Sequence, residues 1–178
     1  MKIIEAMNAQ KLTEKKIASK LEFIKRYAAR PSIREDAFGG KEKEKVAEAI
    51  QSCMDLIKQH EDLKKSIDYT NLVTAVEVGG KQYTIHSLIL HKRSLCRMKR
   101  QVWATLDDRQ AFMEIEQIRA RQSADSKLNV QVINNYDIIK RDTERFAVDE
   151  LESQIDSALQ IANSKIDIVE PPAPVMMR

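Results

Sequence analysis

The stretch that decides the fold is Val73–Ile85, VTAVEVGGKQYTI. Two short runs of Val, Thr, Tyr and Ile flank Gly79-Gly80. A two-residue loop of glycines suits a type I′ turn, which needs positive φ at both positions. Such a turn pairs Val78 with Lys81, Val76 with Tyr83 and Thr74 with Ile85. This register puts Val76, Val78, Tyr83 and Ile85 on one face, and Ala75, Glu77, Gln82 and Thr84 on the other. A slip of one residue would turn the apolar set outward, so the pattern specifies its own register. A two-stranded hairpin alone is marginal in water and must lie on something.

Helices surround it. Residues Ile3, Met7, Gln10, Glu14, Ile17, Leu21, Ile24 and Ala28 alternate in steps of four and three, the seam of a helix that packs on another helix. A helix over 3–30 ends at Arg30-Pro31, because proline disfavours helix in the residue before it. Residues 31–40 read as a loop folded back through Ile33 and Phe38. A second helix over 41–71 has the seam Val46, Ile50, Cys53, Ile57, His60, Lys64, Ile67 and Asn71. At 1.5 Å per residue it is a rod of roughly 45 Å. Two long seams and a ten-residue connection predict an antiparallel helical hairpin. Gln10 and Glu14 interrupt the first seam with polar groups, which cost stability and specify register or partner.

After the strands over 73–78 and 81–85, Thr84 can cap a third helix over 85–121. Its buried side is marked by Leu88, Leu95, Val102, Leu106 and Met113, and extended by Phe112, Ile115 and Ile118. Leu128, Val130 and Val132 alternate with Asn129 and Gln131, so 128–133 reads as a third strand that could join the hairpin. A fourth helix over 137–166 turns Phe146, Leu151, Ile155, Leu159, Ala162 and Ile166 inward. The tail over 171–178 is proline-rich and cannot be helical through its prolines. The expected fold is mainly α with a small β element (α+β), one elongated domain over 1–170.

The 178 residues are 32% charged and 5% aromatic, with four glycines and four prolines, which suits an elongated, helix-rich protein better than a barrel or sandwich. No apolar run approaches the ~18 residues of a membrane span, and the N-terminus has no signal-peptide pattern. Cys53 and Cys96 lie far apart in sequence, and a reduced, cytoplasmic compartment is the simplest expectation. Gly39-Gly40 and Gly79-Gly80 are isolated pairs and make no phosphate-cradling loop. Cys53 and His60 share a helix face, but a metal needs three or four converging ligands, so both read as core packing. His86 and His91 do not share a helical face, and Ser87 and Ser94 lack an elbow motif. No enzyme, cofactor, metal or small-molecule substrate is therefore expected.

Charge is more informative. No acidic residue lies between Glu77 and Asp107, an interval that holds Lys81, Lys92, Arg93, Arg97, Lys99 and Arg100. The fourth helix is acidic, through Asp137, Asp142, Glu144, Asp149, Glu150, Glu152 and Asp156. The two helices either neutralise each other side by side or meet between subunits, where complementarity sets orientation more than affinity. Nucleic-acid binding is the remaining reading, and only Trp103 is near for stacking.

The order of parts resembles a known family. The run Ile67–Leu72, IDYTNL, precedes the glycine hairpin, and a V-Q-V strand at Val130–Val132 leads to ELESQIDSALQIAN at Glu150–Asn163. This layout resembles the septicolysin-like family of small bacterial proteins, carried in detail by Thr70, Asn71, Gly80, Leu151, Ile155 and Asn163. The chain departs from the family's Arg-Tyr-Ser-Arg-Ser-Glu-Ile stretch, reading ARQSADSKLN over 120–129. The resemblance implies a helical, oligomeric protein, carries over no catalytic residue, and brings a membrane-active toxin in as an alternative. The expected function is a non-enzymatic structural or interaction protein, self-assembling or part of a bacterial, phage or virion assembly. A nucleic-acid-binding accessory role is the first alternative. The interaction candidates are Val76, Val78, Gly79, Gly80 and Tyr83 in the hairpin, and Lys92, Arg93, Arg97, Lys99 and Arg100 in the basic helix.

Overall fold

A computed structural model describes residues 1–121 and 130–172. Two long helices, α1 (Ile3–Tyr27) and α2 (Glu42–Val73), form the expected antiparallel hairpin. The Glu5 carboxylate accepts from the Lys2 backbone N–H at 2.8 Å and satisfies a donor at the start of α1. The connecting loop is folded, as expected. Asp36 accepts from the N–H groups of Phe38 (2.7 Å) and Glu42 (3.2 Å), and Phe38 packs on Tyr27 with ring centroids 5.0 Å apart. The Arg30 guanidinium pairs at 2.8 Å with the buried Glu42. Ile33 does not take part: it is 94% exposed.

The seams are half right. Ile3, Gln10, Ile17 and Ile24 are turned inward with Ala6, Thr13, Lys20 and Tyr27, whereas Leu21 and Ala28 are exposed; Met7 is half-buried against the core and Glu14 meets α2 from the edge of the seam. On α2, Val46, Cys53, His60 and Ile67 face inward with Ala49, Leu56, Leu63 and Thr70, not with Ile50, Ile57, Lys64 and Asn71. Both helices are turned by one residue, which brings the small Ala6, Thr13, Ala49 and Thr70 inward beside the larger Tyr27, Leu56 and Leu63. His60 Nε2 stands 2.9 Å from Glu14 Oε1 and 3.2 Å from Gln10 Nε2, so the polar interruptions of the two helices meet and fix their stagger.

Strands β1 (Ala75–Val78) and β2 (Lys81–Thr84) pair antiparallel in the expected register, Val76 opposite Tyr83 and Val78 opposite Lys81. Gly79 and Gly80 hold φ of 56° and 75°, the left-handed pair that a type I′ turn requires. Among the described residues the sheet has these two strands alone. Val130–Ile133 lie outside it, and Leu128 and Asn129 fall outside the described residues. The expected third strand is corrected accordingly. Of the proline-rich tail, positions 173–178 likewise lie outside the described residues.

Thr84 caps the next helix, its hydroxyl accepting from the Ser87 N–H at 3.1 Å. The expected single helix is broken into α3 (Ile85–Leu90), a π-helical turn (His91–Leu95), α4 (Cys96–Ala104) and α5 (Arg109–Arg121). Thr105–Asp108 ends α4: the Asp107 carboxylate accepts from the Arg109 N–H at 3.2 Å, offering the backbone an alternative to helix. Leu88, Cys96 and Ile115 are buried, whereas Val102, Phe112, Met113 and Ile118 are exposed, against expectation. The last helix, α6 (Ile138–Lys165), starts at Asp137, whose carboxylate accepts from the Lys140 N–H at 3.0 Å. Its inner side is Val148, Ile155, Leu159 and Ala162, while Phe146 is 71% exposed. Phe146 precedes Val148 by two residues, which places it across the helix from the core.

One core joins these parts. Val78 and Ile85 from the hairpin, Leu88 and Cys96 from the third segment, and Ile3 from α1 pack on the inner side of α6. Residues 1–3 are clasped to the segment after α6. The Ile3 N–H donates to the Ile166 carbonyl (3.0 Å), the Ile168 N–H to the Met1 carbonyl (2.9 Å), and Lys2 pairs with Asp167 (2.6 Å). The fully buried Thr70 hydroxyl donates to the Ser66 carbonyl (2.7 Å) and accepts from the Val169 N–H (2.8 Å), tying the segment after α6 to α2. Thr70→Val keeps the shape and strands that N–H. Chemical denaturation should record a loss of about 1–3 kcal/mol; an unchanged midpoint would mean the clasp adds nothing.

Candidate functional site

Three surfaces gather the residues that can meet a partner. The first is one open side of the α1–α2 hairpin. Because both helices are turned by one residue, a row of large apolar side chains is left outside. Leu21, Ile50, Met54 and Ile57 are 53%, 47%, 58% and 44% exposed. Leu21, Ile50 and Ile57 each follow a seam residue by one helical turn, after Ile17, Val46 and Cys53. Met7, Lys64 and Asn71 hold equivalent positions nearer the core and line one common cavity, so these flanks of α1 and α2 share a side. The row therefore runs along one face of the rod. The sequence pattern does not reveal it, because steps of four and three assign Ile50, Ile57 and Leu21 to the seam itself.

The second surface is a groove of about 680 Å³ between β1 and α6, bounded by Val76, Val78 and Gly79 on one side and by Gln154, Ala158 and Ile161 on the other. Three of the five hairpin candidates therefore line one groove. Gly80 is at the exposed turn but does not line the groove. Tyr83 packs edge-on against the His91 ring, 5.5 Å between centroids, and supports the core. Val78 is a core residue, so it forms groove floor and not a free side chain. The register directs the backbone groups of Val76 and Val78 at β2, which turns those of Ala75 and Glu77 to the open edge. The α6 half of the groove had no sequence signal, because only tertiary packing brings that helix beside β1.

The third surface is the basic segment against the acidic helix. Lys92 pairs with Asp156 at 2.6 Å, and Arg100 bridges Asp149 at 2.8 Å and Glu152. The opposite charges on the two segments thus meet within the chain. Arg93, Arg97 and Lys99 are exposed and have no carboxylate within 4.0 Å among the described residues. The nearby titratable groups are quiet. Burial, with Lys99 close by, pushes the His91 imidazole down, so it is neutral at pH 7. Burial pushes the Cys96 thiol up, and Cys53 is buried and unpaired with it. Such thiols are poor nucleophiles.

Among the described residues no group of three or more His, Cys, Asp or Glu side chains is placed to hold a metal ion. No helix of the described residues is long and apolar enough to cross a membrane. No family model, curated protein or solved structure matches the chain.

The Arg100 bridges are partly exposed, so salt should weaken them. Arg100→Glu should lower stability, and adding Glu152→Arg should recover part of the loss. Both effects should shrink as ionic strength rises. Equal stability of Arg100→Glu and the wild type in low salt would remove these bridges from the account.

Proposed function

We propose that the chain is a non-enzymatic structural protein that self-associates through the open face of its helical hairpin. The observation that carries this is the row Leu21, Ile50, Met54 and Ile57, roughly half exposed along one side of a rod. Contiguous apolar surface of that kind marks an interaction site. A second copy is the occupant that suits it. Two helices presenting one face each make half of a four-helix bundle, and a two-fold axis closes the bundle with one self-complementary patch.

A second reading has its own observation, the open edge of β1 beside the groove on α6. An extended segment of a partner protein could add there as a third strand, its backbone paired with Ala75 and Glu77 and its side chains over Ala158 and Ile161. Glu77→Pro removes an edge N–H while sparing the bonds to β2. It should abolish capture of an extended partner peptide and leave the circular dichroism spectrum unchanged; undiminished capture would dismiss strand addition. The pairing of Lys92 and Arg100 within the chain weighs against a nucleic-acid role for the basic segment. The absence of a long apolar helix among the described residues gives no support to a membrane-inserting helical toxin.

Self-association is tested by sedimentation equilibrium on the wild type and on Ile50→Glu with Ile57→Glu. The wild type should be dimeric or larger, and the variant monomeric with unchanged helical content. A wild type that stays monomeric at every concentration would overturn the proposal.

A further inference from the structure

Two parts of the chain are left unpaired, and they match each other. One is the outer edge of β1, where the backbone groups of Ala75 and Glu77 point away from β2 beside the apolar groove on α6. The other is Val130–Ile133, which reads V-Q-V-I and lies outside the sheet, with no backbone partner among the described residues. We propose that Val130–Ile133 of one copy add to the β1 edge of a second copy as a third, antiparallel strand. This rests on the strand-addition reading of β1 and names the segment that adds.

The segment is carried on an arm. Among the described residues no helix or strand packs closely on α5, and Phe112, Met113, Ile118 and Ile133 are exposed. Val132–Tyr136 return along its first turns, beside Ala111 and Glu114. The base of the arm is fixed, because the Arg141 guanidinium donates to the Leu106 carbonyl (3.1 Å) and to the Tyr136 hydroxyl (3.2 Å).

Reach decides which copy receives it. Gly79 stands against Gln154, so β1 runs back along the groove toward Ala162. From Ile138, where α6 starts, to Ala162 is about 36 Å along the helix. The chain from Ile133 to Ile138 spans at most about 18 Å. While α6 is helical the segment cannot lie in its own groove, so the edge it pairs with belongs to another copy.

The side chains fit one register. Gln131 opposite Glu77 sets Val132 beside Val76 and Val130 beside Val78. Apolar then meets apolar on the groove side, and Gln131 and Glu77 share the outer face. The added strand covers Ile161, which is 54% exposed in the groove wall. Alone, so short a strand holds copies weakly. A hairpin dimer offers two arms and two edges at once, and avidity makes the contact lasting.

The test is disulfide trapping in the full chain. Glu77→Cys and Gln131→Cys are made in separate chains; both positions are exposed, and native Cys53 and Cys96 are buried. Opposite residues of a hydrogen-bonded antiparallel pair have Cα atoms about 5.5 Å apart, within disulfide reach. Under mild air oxidation the two chains should join about tenfold faster or more than Glu77→Cys joins Ile33→Cys, an exposed control in the loop after α1. With both cysteines in one chain, the disulfide should form between chains only. Gln131→Pro removes a pairing N–H and should lower the mass of assemblies in concentrated protein, with an unchanged circular dichroism spectrum. Joining no faster than the Ile33→Cys control, or a disulfide within one chain in dilute protein, would overturn the proposal. Capture of an extended peptide that Glu77→Pro abolishes would survive that result, so failure of this segment is told apart from failure of strand addition.

Discussion

The structure depends on how two long helices are rotated against each other. Ala6 and Thr13 on α1, and Ala49, Ser66 and Thr70 on α2, are the buried small residues of the seam. They alternate along the seam with larger side chains such as Leu56 and Leu63. The same rotation buries Thr70, whose hydroxyl holds the segment after α6. That segment in turn pairs with Met1 and Lys2 and seats Ile3 in the core. Seam geometry and the clasp between residues 1–3 and the segment after α6 therefore form one connected unit.

The rotation has a consequence at the surface. Apolar residues that would close the seam in an alternative packing are left along its flank, near Ile17 and Cys53 but outside them. Near the core, α3, the π-helical turn and α6 cover that flank. Farther out, Leu21, Ile50, Met54 and Ile57 stay exposed. One stripe is thus covered near the core and farther out leaves a face that a second copy would cover. Sequence conflicts of this kind, where apolar residues outnumber the positions one seam can bury, are expected at functional surfaces.

Much of the fold was legible because local rules and tertiary packing agreed. The glycine pair dictated a turn, the turn dictated the register, and the alternation of Val76, Val78 and Tyr83 chose the buried face. The cap at Thr84 followed from a short polar side chain before an apolar run, whereas the cap of α6, Asp137, was not singled out by the pattern. Failures arose where several solutions fit the pattern. Steps of four and three are satisfied by two adjacent stripes, and the pattern alone does not choose between them. The extra residue of the π-helical turn leaves no mark on composition. The strand expected at 128–133 rested on alternation alone. Of the candidate residues, Val76, Val78 and Gly79 converge on a groove, whereas Lys92 and Arg100 are engaged by α6.

The rotation of the hairpin and the covering of its outer stripe can be read together by thiol labelling. Native Cys53 and Cys96 are both buried, so cysteines introduced singly at Ile50 and at Gln51 report on neighbouring positions of one helix. Both should label rapidly in dilute protein. As concentration rises, the thiol at position 50 should become protected while the one at 51 stays reactive. Slow labelling at 50 in dilute protein would place it in the seam and contradict the rotation; equal reactivity at both positions at every concentration would contradict the second copy on the stripe.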